Sequence, residues 1–137
     1  YERLVYDGFT QKSLAAISGI EDYVLTINSF SKTFAMTGWR IGFIAAPLTI
    51  AKACDKLQGQ VTSATCSIAQ KATVKAMEMD PKNSKDIIDM RNKFLERRDL
   101  MFKLLQEIPD FEVRLPQGAF YFFPKVNKYY GKIFRNN

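Results

Sequence analysis

Histidine is absent from this chain of 137 residues, and cysteine occurs only twice. Without histidine the chain cannot build Ser-His-Asp or Cys-His catalysis from its own residues, and it lacks the commonest zinc ligand. Two cysteines, Cys54 and Cys66, are too few for a disulfide framework. Cys54 is expected on a helix face and Cys66 near a helix start, both as small buried residues. No apolar run is long enough to span a bilayer and no leader pattern is recognisable, so no membrane association is expected and the cytoplasm is the default location. Charge of one sign does not dominate: 20 Lys and Arg against 14 Asp and Glu leave +6. Arg91, Lys93, Arg97 and Arg98 alternate with Glu96 and Asp99, while Lys125, Lys128, Lys132 and Arg135 are interrupted by aromatics. These read as solvated faces rather than a nucleic-acid surface.

What is present suits one ordinary globular domain, with 47% apolar and 25% charged residues. Leu4-Val5-Tyr6 is a short apolar run ended by the turn signal Asp7-Gly8. Residues 9–22 read as a loop with at most a short helix near Leu14–Ile17. Buried strands are expected over 23–28 and 41–46, the second closed by Pro47. A helix follows, capped by Thr49, with Ile50, Ala53, Cys54, Leu57 and Val61 at helical spacing. The small and polar residues 62–67 break it, and Ser67 is placed to cap a second helix. The apolar face of that helix, Ile68, Ala69, Ala72, Ala76 and Met77, is mostly small and suits close packing. Asp80-Pro81 stops it.

The longest periodic segment runs from Ser84 to Ile108. Its stripe is Ile87, Met90, Phe94, Met101, Leu105 and Ile108, with Arg97, Arg98 and Lys103 facing elsewhere and Asp89 supporting Lys93. Residues 111–115 alternate like a strand with one wet face. Pro116-Gln117-Gly118 reads as a turn, and 119–123 as a buried aromatic strand stopped by Pro124.

The stretch that carries chemistry is Ser29-Phe30-Ser31-Lys32-Thr33-Phe34-Ala35-Met36-Thr37-Gly38-Trp39-Arg40-Ile41-Gly42. A small-residue turn presents Lys32 between the two expected strands, at the carboxyl end of the first, where open α/β sheets place ligands. An amine that condenses with an aldehyde must attack as the free base, and lysine is the side chain that supplies one. A phosphate asks for a forked cation and hydroxyl donors. Taken singly, Lys32 would be a solvated loop lysine, Arg40 a surface ion-pair partner and Trp39 a core residue.

Together, Ser-x-Ser-Lys followed by Met-Thr-Gly-Trp-Arg-x-Gly resembles the lysine signature of class I/II aminotransferases, the fold-type-I enzymes dependent on pyridoxal phosphate. Pro-x-Gly-Ala-Phe-Tyr-x-Phe-Pro at 116–124 is similar to a second marker of that family. The resemblance implies an α/β fold: the end of the large-domain sheet in residues 1–62, then a linking helix and part of the small domain in 63–137. It implies pyridoxal 5'-phosphate as cofactor, Lys32 as the Schiff-base lysine, and Ser29 and Arg40, with Ser31 less directly, as holders of the phosphate. It implies that Tyr1 bonds the cofactor's ring oxygen.

The implied reaction passes an amino group between an amino acid and a 2-oxo acid. The wording Ala-Met-Thr-Gly-Trp-Arg is most similar to bacterial aspartate aminotransferases, and a homodimer is implied. The chain begins mid-pattern, at the tyrosine of an Asp-Glu-x-Tyr segment, so it is expected to be an internal fragment. Two alternatives stay open: another enzyme on the same fold, such as a carbon–sulfur lyase or an aminocyclopropane-carboxylate synthase, and an aminotransferase-like domain of a transcription regulator.

Overall fold

Thr26–Ser29 (β1) and Gly42–Ala45 (β2) pair antiparallel, Thr26 opposite Ala45 and Ser29 opposite Gly42, in a computed structural model that describes residues 1–133. Arg135 lies outside the described residues. The hairpin closes where the Phe30 amide donates to the Ile41 carbonyl at 3.3 Å. Three helices follow: α1 over Leu48–Val61, α2 over Ser67–Glu78 and α3 over Lys85–Gln106.

The hairpin loop is folded into a small core. Phe30, Met36 and Ile41 are buried against Ala69 and Ala76 of α2, with Phe34 and Ala72 beside them. Alanines on that helix face let the loop backbone approach closely, as their small size predicts. The loop is thereby held by burial rather than by a ladder of hydrogen bonds.

The chain's first residues are tied to residues 116–119. Leu4 is fully buried and Tyr6 nearly so. Val5 bridges Gly118 antiparallel, the Tyr6 amide donates to the Gln117 carbonyl at 2.9 Å, and the Ala119 amide donates to the Leu4 carbonyl at 2.7 Å. The Tyr6 hydroxyl donates to the Ala119 carbonyl at 2.6 Å. A Cβ at Gly118 would stand 3.1 Å from the Leu4 carbonyl oxygen, a tight contact that glycine avoids.

Several expectations are corrected. The strand expected over 23–28 starts at Thr26, because Glu21–Tyr23 closes a 3-10 turn instead. Neither strand is buried: among the described residues they pair only with each other, and Ile27 is 79% exposed. Thr49 does not cap α1, since the helix begins at Leu48 and the Pro47 carbonyl receives its first amides. Ser67 is the first residue of α2, with Cys66 in the cap position.

Residues 111–115 and 119–123 form no strand among the described residues. Only isolated bridges occur, Glu112 with Lys125 and Val5 with Gly118, and Phe123 is fully exposed. On α3, Asp89 pairs with Lys85, one turn earlier, and Lys93 turns to Glu96. Arg98 is buried rather than solvated: its Nη1 donates to Asp7 at 2.5 Å and to the Pro116 carbonyl at 3.1 Å. Its Nε donates to Asp99 at 2.9 Å, and the guanidinium lies 4.9 Å from the Tyr6 ring centre. Enclosure is tolerated because these partners satisfy the guanidinium.

Candidate functional site

Lys32 sits three residues beyond the end of β1, on the turn that Phe30 anchors. Its side chain is half-buried, and the amine lies 5.2 Å from the Phe120 ring centre and 5.7 Å from that of Tyr1. Among the described residues it makes no ion pair and no side-chain hydrogen bond. It is therefore a cation held against two aromatic faces, with its nitrogen otherwise uncommitted.

The walls around Lys32 come from distant parts of the chain. Tyr1 and Phe120 meet edge-on at 5.5 Å, and Phe120 stacks on Phe94 of α3 at 5.0 Å. The Tyr1 hydroxyl shares a 2.5 Å hydrogen bond with that of Tyr121. Partial burial, then the Tyr121 hydroxyl and its charge, push the Tyr1 phenol up to about 12. Reading from sequence places 119–123 in the core and so misses Phe120 as a neighbour of Lys32 and Tyr121 as a partner of Tyr1. The Gly-Ala-Phe-Tyr marker is the only signal that could have found them.

Ser29, Ser31 and Arg40 gather at the closed end of the hairpin. Ser29 Oγ accepts from the Ser31 amide at 3.1 Å, and its one proton has two acceptors in reach, Ser31 Oγ at 2.8 Å and the Ile41 carbonyl at 3.3 Å. Ser29 stands opposite Gly42, two residues after Arg40, and the two residues line different cavities, Ser29 one with Asn28 and Thr33. Arg40 itself is exposed, and its Nη1 donates to the Thr37 carbonyl at 2.7 Å. No carboxylate pairs with it among the described residues.

Arg40 lines a cavity of about 680 Å³ with Gln58 and Thr62 at the end of α1 and Thr65 and Cys66 before α2. No hydrogen bond or ring contact joins Lys32 to Arg40 among the described residues. Cys66 is exposed, contrary to expectation, and the Ala69 and Ile68 amides at the helix start lower its thiol. Trp39, expected in the core, is 46% exposed. The turn carries two non-glycine residues in the left-handed region, Ala35 at φ 53° and Arg40 at φ 50°. Such residues persist where surrounding packing over-determines them, and they cluster at ligand sites. Here Met36 and Ile41, next to each of them in sequence, are both buried.

A search by sequence finds the family described as Aminotransferase class I and II matching residues 1–135. The chain belongs to the class I and II aminotransferases. Among curated proteins it is 44% identical over 131 residues to the bifunctional aspartate aminotransferase and glutamate/aspartate-prephenate aminotransferase of Petunia hybrida, covering 96% of this chain and 27% of that one. It is 41% identical to an aspartate aminotransferase of Pyrococcus abyssi, covering 92% and 32%. Among solved structures, the aspartate aminotransferase from Rhizobium meliloti superposes with TM-score 0.83 at 39% identity, over 90% of this chain and 30% of that one. The aromatic aminotransferase from Pyrococcus horikoshii gives TM-score 0.83 at 40% identity, over 90% and 32%. The chain thus has the mixed helix-and-sheet fold of its fold-type-I relatives and spans about a third of their length. Among its described residues, no helix is long and apolar enough to cross a membrane.

Proposed function

We propose that the protein carrying this chain is an aminotransferase that binds pyridoxal 5'-phosphate and moves an amino group between an amino acid, aspartate or a related acid, and a 2-oxo acid. The observation that carries the proposal is the Lys32 amine: half-enclosed by Tyr1 and Phe120, yet free of ion pairs and side-chain hydrogen bonds among the described residues. A lysine placed for structure would be paired or fully solvated; this one is kept available.

The donor set fits the cofactor. An aldehyde needs an uncommitted amine, which Lys32 offers. A phosphate needs a fork and hydroxyls, which Arg40, Ser29 and Ser31 offer at the hairpin end. When bound, the cofactor supplies an electron sink for the carbanion formed at the amino acid's α-carbon. Lys32 Nζ takes the α-proton as general base and returns it as general acid. The Tyr1 hydroxyl donates toward the cofactor's ring oxygen. Phe120 and the Tyr1 ring cover one side of the amine.

In this reading residues 1–62 belong to the large cofactor-binding domain and 63–137 to a linking helix and part of the small domain. The working enzyme is a homodimer, with amino and 2-oxo acids as its partners.

The decisive experiment is borohydride reduction of the full-length protein mixed with pyridoxal phosphate, followed by peptide mass mapping. Label is expected on Lys32 and disappears in Lys32→Ala. Label on another lysine, with Lys32 bare, overturns the proposal.

A further inference from the structure

Two side chains of α3, one turn apart on the same helix face, support the walls around Lys32. Phe94 lies against Phe120, the rings 5.0 Å apart and 24° from parallel. Arg98 holds the two segments from which the walls project. Its fork takes both oxygens of Asp7, at 2.5 and 3.2 Å, and one arm also reaches the Pro116 carbonyl at 3.1 Å. Asp7 ends the segment that carries Tyr1, and Pro116 opens the loop that carries Phe120. The same two segments are laced by the Tyr6 amide on the Gln117 carbonyl and the Ala119 amide on the Leu4 carbonyl. The Leu4 amide in turn donates to the Tyr1 carbonyl at 2.9 Å, so the lacing runs through to Tyr1.

Packing alone does not ask for an arginine here. Enclosing a guanidinium is costly, and an apolar side chain of similar size would fill the space at least as favourably. What the fork adds is direction, since a bidentate pair fixes angle as well as distance. Asp7 bears the mark of that constraint: its φ is 56°, in the left-handed region, although it is not glycine.

We propose that Arg98 is a positioning residue for Lys32: by locking the Tyr1 segment to the Phe120 loop, it sets the two rings that stand 5.7 and 5.2 Å from the Lys32 nitrogen. The inference rests on the reading of Lys32 as the working amine. Arg98 acts only through the rings, and no hydrogen bond or ring contact joins it to Lys32 among the described residues. The four-carbon stem of a lysine is flexible, so the rings that wall it decide where its nitrogen rests. A reacting group misplaced by about 1 Å can lose roughly a hundredfold in rate.

The test uses full-length protein and Arg98→Met, which keeps an unbranched stem and removes the fork. The first readout is NMR of cofactor-free protein carrying lysine labelled at Cε, with Lys32 assigned through Lys32→Arg. Protons held over ring faces resonate upfield, and the Lys32 signal is expected to return toward those of the other lysines in Arg98→Met. Asp7→Asn, a milder change, should move it the same way by less. The double variant should match Arg98→Met, since Asp7 acts through Arg98. Phe111→Leu, which thins the contact with Tyr129 away from the clasp, should lower stability and leave the Lys32 signal in place. A Lys32 signal unmoved in both clasp variants, additive shifts in the double variant, or an equal shift in Phe111→Leu overturns the proposal.

The second readout is α-proton exchange from the amino acid, counted per cofactor-loaded site. A merely structural role lowers the number of loaded sites and not the rate of each. Positioning predicts a rate per site lower by roughly tenfold or more in Arg98→Met, and an unchanged rate per site overturns the proposal. If borohydride leaves Lys32 of the wild type unlabelled, the cofactor reading fails, while the NMR signal still judges the positioning.

Discussion

Arg98 is the most enclosed charge among the described residues, its side chain only 4% exposed, while its partner Asp7 is half-exposed. The guanidinium reaches Asp7 through two nitrogens, at 2.5 and 3.2 Å, and adds Asp99 and the Pro116 carbonyl. One side chain on α3 therefore holds both the segment that follows Tyr1 and the loop that precedes Phe120. Arg98→Ala is expected to destabilise the full-length protein by about 2–3 kcal/mol at neutral pH, the range for charge-assisted bonds lost from a packed site.

The loss depends on pH. Hydrogen bonds from Arg98 hold the Asp7 carboxyl below its ordinary value. A carboxyl with a lowered folded-state pKa stabilises fully above its unfolded value and loses that contribution as pH falls through the folded one. The gap between wild type and Arg98→Ala should therefore shrink below about pH 4. Urea unfolding at pH 7 and pH 3 checks both parts, and a gap that widens in acid contradicts the pairing. Helical spacing alone could not show this. It puts Arg98 off the apolar stripe, and only the tertiary approach of Asp7 reverses the assignment. Lys32 and Arg40, by contrast, are legible as candidates because their chemistry is written in one continuous motif.

At the scale of the element, Gly42 is what lets the hairpin β1–β2 close beside the Lys32 turn. A Cβ at Gly42 would stand 2.6 Å from the Asn28 carbonyl oxygen. Gly42→Ala should part the strands at the mouth of the Lys32 turn and lower cofactor retention by roughly tenfold or more. Gly59, inside α1 with open space where a Cβ would go, is the control: Gly59→Ala should leave retention unchanged and stabilise by roughly 0.5–1 kcal/mol. Equilibrium dialysis with pyridoxal phosphate and thermal melts separate the two.

The helices are legible in the sequence to within a residue or two, because 3.6-residue periodicity persists over α2 and α3 whatever surrounds them. Of the strands, the two of the hairpin are legible in position but those expected over 111–115 and 119–123 are not. An aromatic run such as 119–123 satisfies the pattern of a buried strand, but a strand needs a partner ladder. Here the Ala119 left-handed turn and the bridge to Val5 take the backbone elsewhere. Phe120 and Tyr121 then serve as side walls for Lys32.

For the molecule as a whole, large apolar groups remain open to solvent: Tyr23, Ile27, Phe123 and Ile133 are each more than three-quarters exposed. Each leaves apolar surface in direct contact with water. The 137-residue chain on its own should bind an apolar reporter dye several-fold more strongly than the full-length protein. Ile27→Lys and Phe123→Lys together should reduce that binding without lowering the thermal midpoint. Fluorescence at matched molar concentration measures it, and equal signal from both proteins refutes it. The family was readable from two local motifs. The meeting of Tyr1 with Tyr121 was not, since nothing in local pattern encodes a contact 120 positions long.

The clasp between Asp7 and Arg98, 91 positions apart, also sets a timetable during synthesis. Ribosomes extend a chain by roughly 5–20 residues each second, so the guanidinium emerges roughly 5–20 seconds after its carboxylate. For that interval the nascent Lys32 has neither Phe120 nor a fixed Tyr1 beside it and meets metabolite aldehydes as any bare amine would. The Lys32 amine therefore gains its Phe120 neighbour only when the last third of this stretch has been translated.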